Sequence, residues 1–206
     1  MKLSQVLALA LCATGALRMA AAADAASEGD RAALKAAVAT CATCHGTNGH
    51  SVSPTFPNLA GQPSGYIQLQ LKAFKDQSRG DPDAQAYMWG MASNLSDDLI
   101  KQLADYYSAQ APAPGRAGSS ALIGQGRTLY AEGVPAKGIP ACATCHGAKA
   151  EGLAVFPRLA GQHAPYLLKQ LLVIQNVLRT APVMHGVVKD LTKDQMQAVV
   201  AYLESI

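Results

Sequence analysis

One five-residue unit occurs twice in the chain. Cys41-Ala-Thr-Cys-His45 returns as Cys142-Ala-Thr-Cys-His146, 101 residues later. Two thiols separated by two residues, with an imidazole directly after them, can add across the two vinyl groups of a porphyrin while the histidine reaches its iron. This is the attachment pattern of a covalently bound c-type haem. A redox dithiol would leave the repeated histidine without a purpose. A zinc site would need the two pairs to combine as four thiolates, although each pair sits in a complete repeat of its own. The expectation is therefore two covalently bound haem c groups, one on Cys41 and Cys44 and one on Cys142 and Cys145, with His45 and His146 on the irons.

Each iron then needs a sixth ligand or an open position, and histidine and methionine are the ordinary candidates. His50, His163 and His185 have no histidine counterpart in the other copy. Met88 and Met184 do match, each seven residues before the leucine that opens the last helix of its copy. Met91 is a poorer choice because its counterpart is Val187. A methionine in an apolar site is more often filler, but its pairing with CxxCH in both copies selects Met88 and Met184. His185, beside Met184, is expected to matter only if that methionine is lost, for example by oxidation.

A third shared element is Phe56-Pro-Asn-Leu-Ala-Gly-Gln62, repeated as Phe156-Pro-Arg-Leu-Ala-Gly-Gln162. Pro57 and Pro157 follow the histidines closely enough to offer a carbonyl to the ring N–H, which would fix its orientation and raise its donor strength. A plain turn before the next helix explains the element equally well. Arg79 and Arg179 also match, either as partners for haem propionates or as solvated surface residues.

The elements that must position these groups read as helical. Ile67, Leu71 and Phe74, like Leu167, Leu171 and Ile174, are spaced i, i+4, i+7, which gives each half a middle helix with one apolar face. Ile100, Leu103, Ala104 and Tyr107 match Met196, Val199, Val200 and Leu203 along a last helix. Ser96 and Thr192 are the expected N-caps, the second in a capping box with Gln195. First helices are expected at about Glu28 to Thr40 and Ala121 to Glu132, with an inserted loop from Gly133 to Pro140 in the second copy. Gly126 and Tyr130 fit either a close crossing of first and last helices or a plain core role. Sustained period-two alternation is missing, so the fold class is all-α.

The domain reading is a signal peptide at 1–23, an N-terminal domain at 24–109, a Pro- and Gly-containing connector at 110–118 and a C-terminal domain at 119–206. Lys2, the apolar run from Val6 to Leu17 and the small residues Ala20 to Ala23 carry the signal reading. Cys12 lies inside that run, and the large Leu11 before it argues against lipid attachment. No later segment has the apolar length of a membrane helix. Without Lys2 and Arg18, fifteen basic residues face fourteen acids, a formal charge of +1. The charges are scattered, which disfavours nucleic-acid binding.

Together, both CxxCH motifs, both FPxLAGQ elements, both Met-x-Gly segments and the Ile139-Pro-Ala lead into Cys142 resemble the cytochrome c4 family, dihaem cytochromes of bacterial periplasms. The resemblance covers nearly the whole chain after residue 23. It implies two tandem class I cytochrome c domains related by pseudo-two-fold symmetry, His/Met ligation at both irons, and haems meeting near the domain interface. It also implies electron transfer, one electron at a time, from a quinol-oxidising complex toward a terminal oxidase through transient docking. Related dihaem chains are dehydrogenase subunits, so the cytochrome subunit of a flavocytochrome c sulfide dehydrogenase is the alternative. A dihaem peroxidase would need an iron with an exchangeable position. With both axial positions filled and no paired acid/base residues, an enzyme is not expected.

Overall fold

A computed structural model describes residues 28–206. The expected signal peptide lies outside the described residues. The chain divides into two compact units, Met1–Thr40 and Cys41–Ile206. In the first, residues 28–40 form helix α1. In the second, residues 41–45 are helical, and α2 (Ser64–Lys75), α3 (Trp89–Ala92), α4 (Asp97–Ser108) and α5 (Ser120–Glu132) follow. Then come α6 (Ala143–His146), α7 (Ala164–Gln175), α8 (Pro182–Val188) and α9 (Lys193–Ser205). Among the described residues the only β pairing is two isolated bridges, Val134 with Ile139 and Leu153 with Phe156.

The apolar stripes form the core. Ile100, Leu103, Ala104 and Tyr107 of α4 are buried, as are Met196, Val199, Val200 and Leu203 of α9. Ile67 and Phe74 of α2 and Leu167 and Ile174 of α7 are buried too, whereas Leu71 and Leu171, at the centre of the same stripes, are only half-buried. Both caps form. The Ser96 hydroxyl accepts from the Leu99 N–H at 3.1 Å, and Thr192 and Gln195 make the reciprocal capping box.

The insertion in the second copy has a local structure of its own. A 3₁₀ turn at Pro135–Lys137 is closed by Val134 and Ile139, which exchange backbone hydrogen bonds at 2.9 and 3.2 Å. The second CxxCH therefore rides on a separate one-turn helix, α6.

Helix α5 crosses α9 at Gly126. A Cβ added there would lie 2.0 Å from the Ala198 carbonyl oxygen and 2.8 Å from Tyr202 Cβ, so only glycine permits this approach. Tyr130, one turn on, is buried and donates its hydroxyl to the Gly147 carbonyl at 2.6 Å. Of the two sequence readings of Gly126 and Tyr130, the close crossing holds.

Gly126→Ala is accordingly expected to destabilise the protein by about 1–3 kcal/mol through overpacking. Gly124→Ala lies on the same helix, with nothing within 4 Å of the added methyl. It should instead stabilise by up to about 1 kcal/mol through helix propensity. Denaturant titrations of both variants, followed by helical circular dichroism, check the contrast.

Candidate haem sites

Each CxxCH ends on a buried histidine, and each ring is held in the same way. His45 Nδ1–H donates to the Pro57 carbonyl at 2.9 Å, and His146 Nδ1–H donates to the Pro157 carbonyl at 3.0 Å. A carbonyl can only accept, so Nδ1 carries the proton and Nε2 keeps the lone pair that a metal needs. Burial pushes both imidazoles below the ordinary histidine range, against the opposing effect of the proline carbonyl, and so keeps them neutral. Phe56 and Phe156 set their rings edge-on to the two imidazoles, at 6.1 and 6.4 Å between centroids. The Phe-Pro pair thus grips each histidine twice, and of the two readings of that element the carbonyl partner is the one observed.

His45 and His146 line a cavity of about 650 Å³ that also reaches Met88 and Met184. Its walls are largely apolar, with Leu71, Phe74 and Leu103 in one half and Leu171, Ile174 and Val199 in the other. Cys41, Cys142 and Cys145 lie in its wall, while Cys44 is exposed outside it, and all four are unpaired thiols. Burial raises the Cys41 and Cys142 thiols above the ordinary range. A neutral imidazole and a thioether facing an apolar space, with a CxxCH cysteine pair beside them, occur in both copies and fit a covalently attached haem in donor chemistry.

The methionines are carried on helical turns too short to show apolar periodicity. Ala84–Met88 forms a π-turn that runs straight into α3, an irregularity often found at functional positions. Met184 lies in the regular α8, which begins at Pro182. The second copy has four residues fewer between arginine and methionine, and the two distal segments differ accordingly. The residues after the methionines nonetheless do the same job. Trp89 Nε1–H donates to the Arg79 carbonyl at 2.8 Å, and His185 Nδ1–H donates to the Ile174 carbonyl at 3.0 Å. Neither Met91, 58% exposed, nor His185 belongs to the cavity wall. His50 Nε2–H binds the Ala111 carbonyl, and His163 Nε2–H binds the Ser51 carbonyl, both at 2.9 Å.

Sequence spacing could not show how closely the copies interlock. The Gln62 side chain accepts from the Arg158 N–H at 2.6 Å and donates to the Arg158 carbonyl at 3.0 Å. Gln162 does the same to Asn58, at 2.8 and 3.0 Å. The arginines are not the solvated surface residues that one sequence reading allowed. Arg79 is buried and donates to Gln70, Gln170 and Asp81, and Arg179 donates to Gln170, Gln70 and the Tyr66 hydroxyl. Each of these residues except Asp81 has its counterpart 100 positions away in the other copy, and the cross-copy bonds occur in matching pairs, so the contacts are isologous about a pseudo-two-fold axis. The glycines of the FPxLAGQ elements serve this contact. Gly61 (φ +68°) would place a Cβ 2.5 Å from Pro112 Cγ, and Gly161 (φ +71°) one 2.3 Å from the Ala113 carbonyl, so the connector lies against both copies.

Two small helical halves, each offering this donor set to an apolar cavity, are the parts of a dihaem c-type cytochrome. Residues 27–109 and 123–206 each match the Cytochrome c family. Cytochrome c4 of Azotobacter vinelandii is 36% identical over 189 residues, covering 86% of this chain and 90% of that protein. A protein of Thiomonas intermedia named as a thiosulfate dehydrogenase electron acceptor is 37% identical over 179 residues, covering 84% and 81%. A solved structure of cytochrome c4 from Acidithiobacillus ferrooxidans superposes with a TM-score of 0.76 at 41% identity, covering 81% of this chain and 98% of that one. The chain belongs to the cytochrome c family, in its dihaem cytochrome c4 branch, and is an electron-transfer protein with two covalently bound haem c groups.

The buried arginine supplies a stability test. Arg79 and Asp81 form an ion pair at 2.8 Å with side chains 8% and 1% exposed. Arg79→Met leaves a buried carboxylate without its cation and is expected to cost about 3–5 kcal/mol. Asp81→Ala should cost less, because Arg79 keeps its bonds to Gln70 and Gln170. Denaturation midpoints of the two single variants and the double variant measure the coupling.

Proposed function

We propose that Cys41 and Cys44 hold one haem and Cys142 and Cys145 the other, with His45 and Met88 ligating the first iron and His146 and Met184 the second. The observation that carries this reading is the matched geometry of the two histidines. Each is fixed through Nδ1 so that Nε2 is left for a metal, and both line one cavity that the two matched methionines also line. The unit of function is an N-terminal domain at 24–109, a connector at 110–118 and a C-terminal domain at 119–206, exported to the periplasm after loss of residues 1–23. Among the described residues no helix is long and apolar enough to cross a membrane.

When bound, the haems supply reversible one-electron chemistry, and the protein sets their potentials through the axial ligands, burial and hydrogen bonds. Filled axial positions suit a carrier better than an enzyme. The protein passes electrons one at a time between respiratory partners, from a quinol-oxidising complex toward a terminal oxidase. Contacts with such partners are transient and small. A second reading rests on the Thiomonas intermedia relative: this chain takes electrons from a dehydrogenase, as a free acceptor or as a bound subunit.

Intact mass of the exported protein is expected to exceed that of its polypeptide by two haems. Met88→Ala should remove the methionine–iron charge-transfer absorption of one haem, and Met91→Ala should leave it in place. Loss with the second variant and survival with the first would reverse the ligand assignment. Purification from the native periplasm separates the two functional readings, since a bound dehydrogenase subunit would be recovered with its larger partner.

A further inference from the structure

The proline carbonyl that holds each histidine belongs to a peptide group whose other end is also bound, and the partner comes from the opposite domain. In the peptide joining Pro57 to Asn58, the carbonyl accepts from His45 Nδ1–H at 2.9 Å and the N–H donates to Gln162 Oε1 at 2.8 Å. In the peptide joining Pro157 to Arg158, the carbonyl accepts from His146 Nδ1–H at 3.0 Å and the N–H donates to Gln62 Oε1 at 2.6 Å. Resonance couples the two ends of a peptide group. Donation from its N–H places more negative charge on its oxygen, and hydrogen bonds in such a chain strengthen one another in a low-dielectric interior. Both glutamines are buried, at 6% and 4% exposure, so water does not compete for these bonds.

We propose that Gln62 and Gln162 are positioning residues acting across the domain interface: Gln62 tunes the C-terminal haem through Arg158 N–H, the Pro157 carbonyl and His146, and Gln162 tunes the N-terminal haem through Asn58 N–H, the Pro57 carbonyl and His45. A stronger bond at Nδ1 makes the imidazole a better donor through Nε2 and favours the oxidised iron. Each glutamine therefore lowers the potential of the haem in the other domain. The second bond of each amide, from Nε2 to the carbonyl of the same residue, fixes the side chain so that its oxygen stays on the N–H. Closing the interface and setting the potentials are in this way the same contact.

The inference rests on His45 and His146 being iron ligands, so the paramagnetically shifted NMR signal of each histidine ring is recorded first in the oxidised holoprotein. Its absence there sinks the ligand assignment, and with it the relay. The two potentials are then read separately, by redox titration followed through NMR resonances assigned to each domain. Gln62→Leu is expected to raise the potential of the C-terminal haem by about a two- to tenfold shift in its oxidation equilibrium. It should move the His146 Nδ1–H resonance of the reduced protein upfield, as the bond to the Pro157 carbonyl weakens, and leave the N-terminal haem unmoved. Gln162→Leu should give the mirror result. Gln62→Glu retains the acceptor oxygen and should hold the C-terminal potential at or below its original value, which keeps the idea testable if the leucine variants assemble poorly. Gln170→Leu weakens the interface without touching either relay and serves as the control. Equal movement of both haems, movement of the haem in the substituted domain, the same response in the control, or no response with ligation intact would each overturn the proposal.

Discussion

Everything in this protein depends on keeping an imidazole neutral, oriented and facing an apolar space. A histidine immersed in water tumbles and titrates near pH 6.5, and neither behaviour suits the ligand role proposed for His45 and His146. Here the ring is buried, its Nδ1–H is spent on a proline carbonyl, and a phenylalanine edge closes its side. The carbonyl itself is reliable because its turn is tied elsewhere. Leu59 and Ala60 donate to the Gly49 carbonyl and Gly61 donates to that of Tyr107, while Leu159, Ala160 and Gly161 bind Ala150 and Leu203 in the same pattern. The last helix of each half therefore reaches the histidine through the FPxLAGQ turn as well as through the core.

Two halves of this size, lining one cavity between them, gain from sharing a boundary, since a small domain buries a low fraction of its apolar surface. The boundary chosen is largely polar, with glutamine amides, guanidinium groups and a buried histidine in place of an aliphatic seam. Buried polar groups are costly when unpaired and contribute specificity when paired. Pairing residues 100 apart with each other's counterparts satisfies most of these groups in one arrangement, and a slide of either half would break several bonds at once. Such an interface fixes register, and register fixes the distance between the two cofactor sites.

Much of this was legible in the chain. Spacing marked the cysteines and histidines as a haem-attachment pattern, and the repeat favoured Met88, which lines the cavity, over Met91, which is exposed. The stripes from Ile100 to Tyr107 and from Met196 to Leu203 appear in the core residue for residue, because a helix that buries one face must display its period. Hidden from the sequence were features that exist only between the copies. Gln62 and Gln162 recur in the motif, yet a repeated glutamine does not say whose backbone it meets. Their persistence in both copies, where nothing in either half required an amide, was the available signal. For Arg79 and Arg179 the sequence left propionate partners and a solvated surface both open, because the glutamines and the carboxylate that hold them cannot be read from spacing. The turns that carry the methionines span one or two helical turns, too few for a period to show.

The symmetry is broken at one chemically pointed place. Position 81 is Asp in the first copy, and its counterpart in the second is Ala181. Arg79 and Arg179 both donate to Gln70 and Gln170, and the Asp81 carboxylate is bound to Arg79. At 1% exposure Asp81 acts through protein rather than water, so its field is screened far less than that of a surface acid. The π-turn before Met88, against the plain helix around Met184, adds a second difference on the distal side. A duplicated domain would by itself give two equal stations for an electron. A buried ion pair on one side of a polar seam, together with unequal methionine segments, makes the two halves of the repeat structurally unequal.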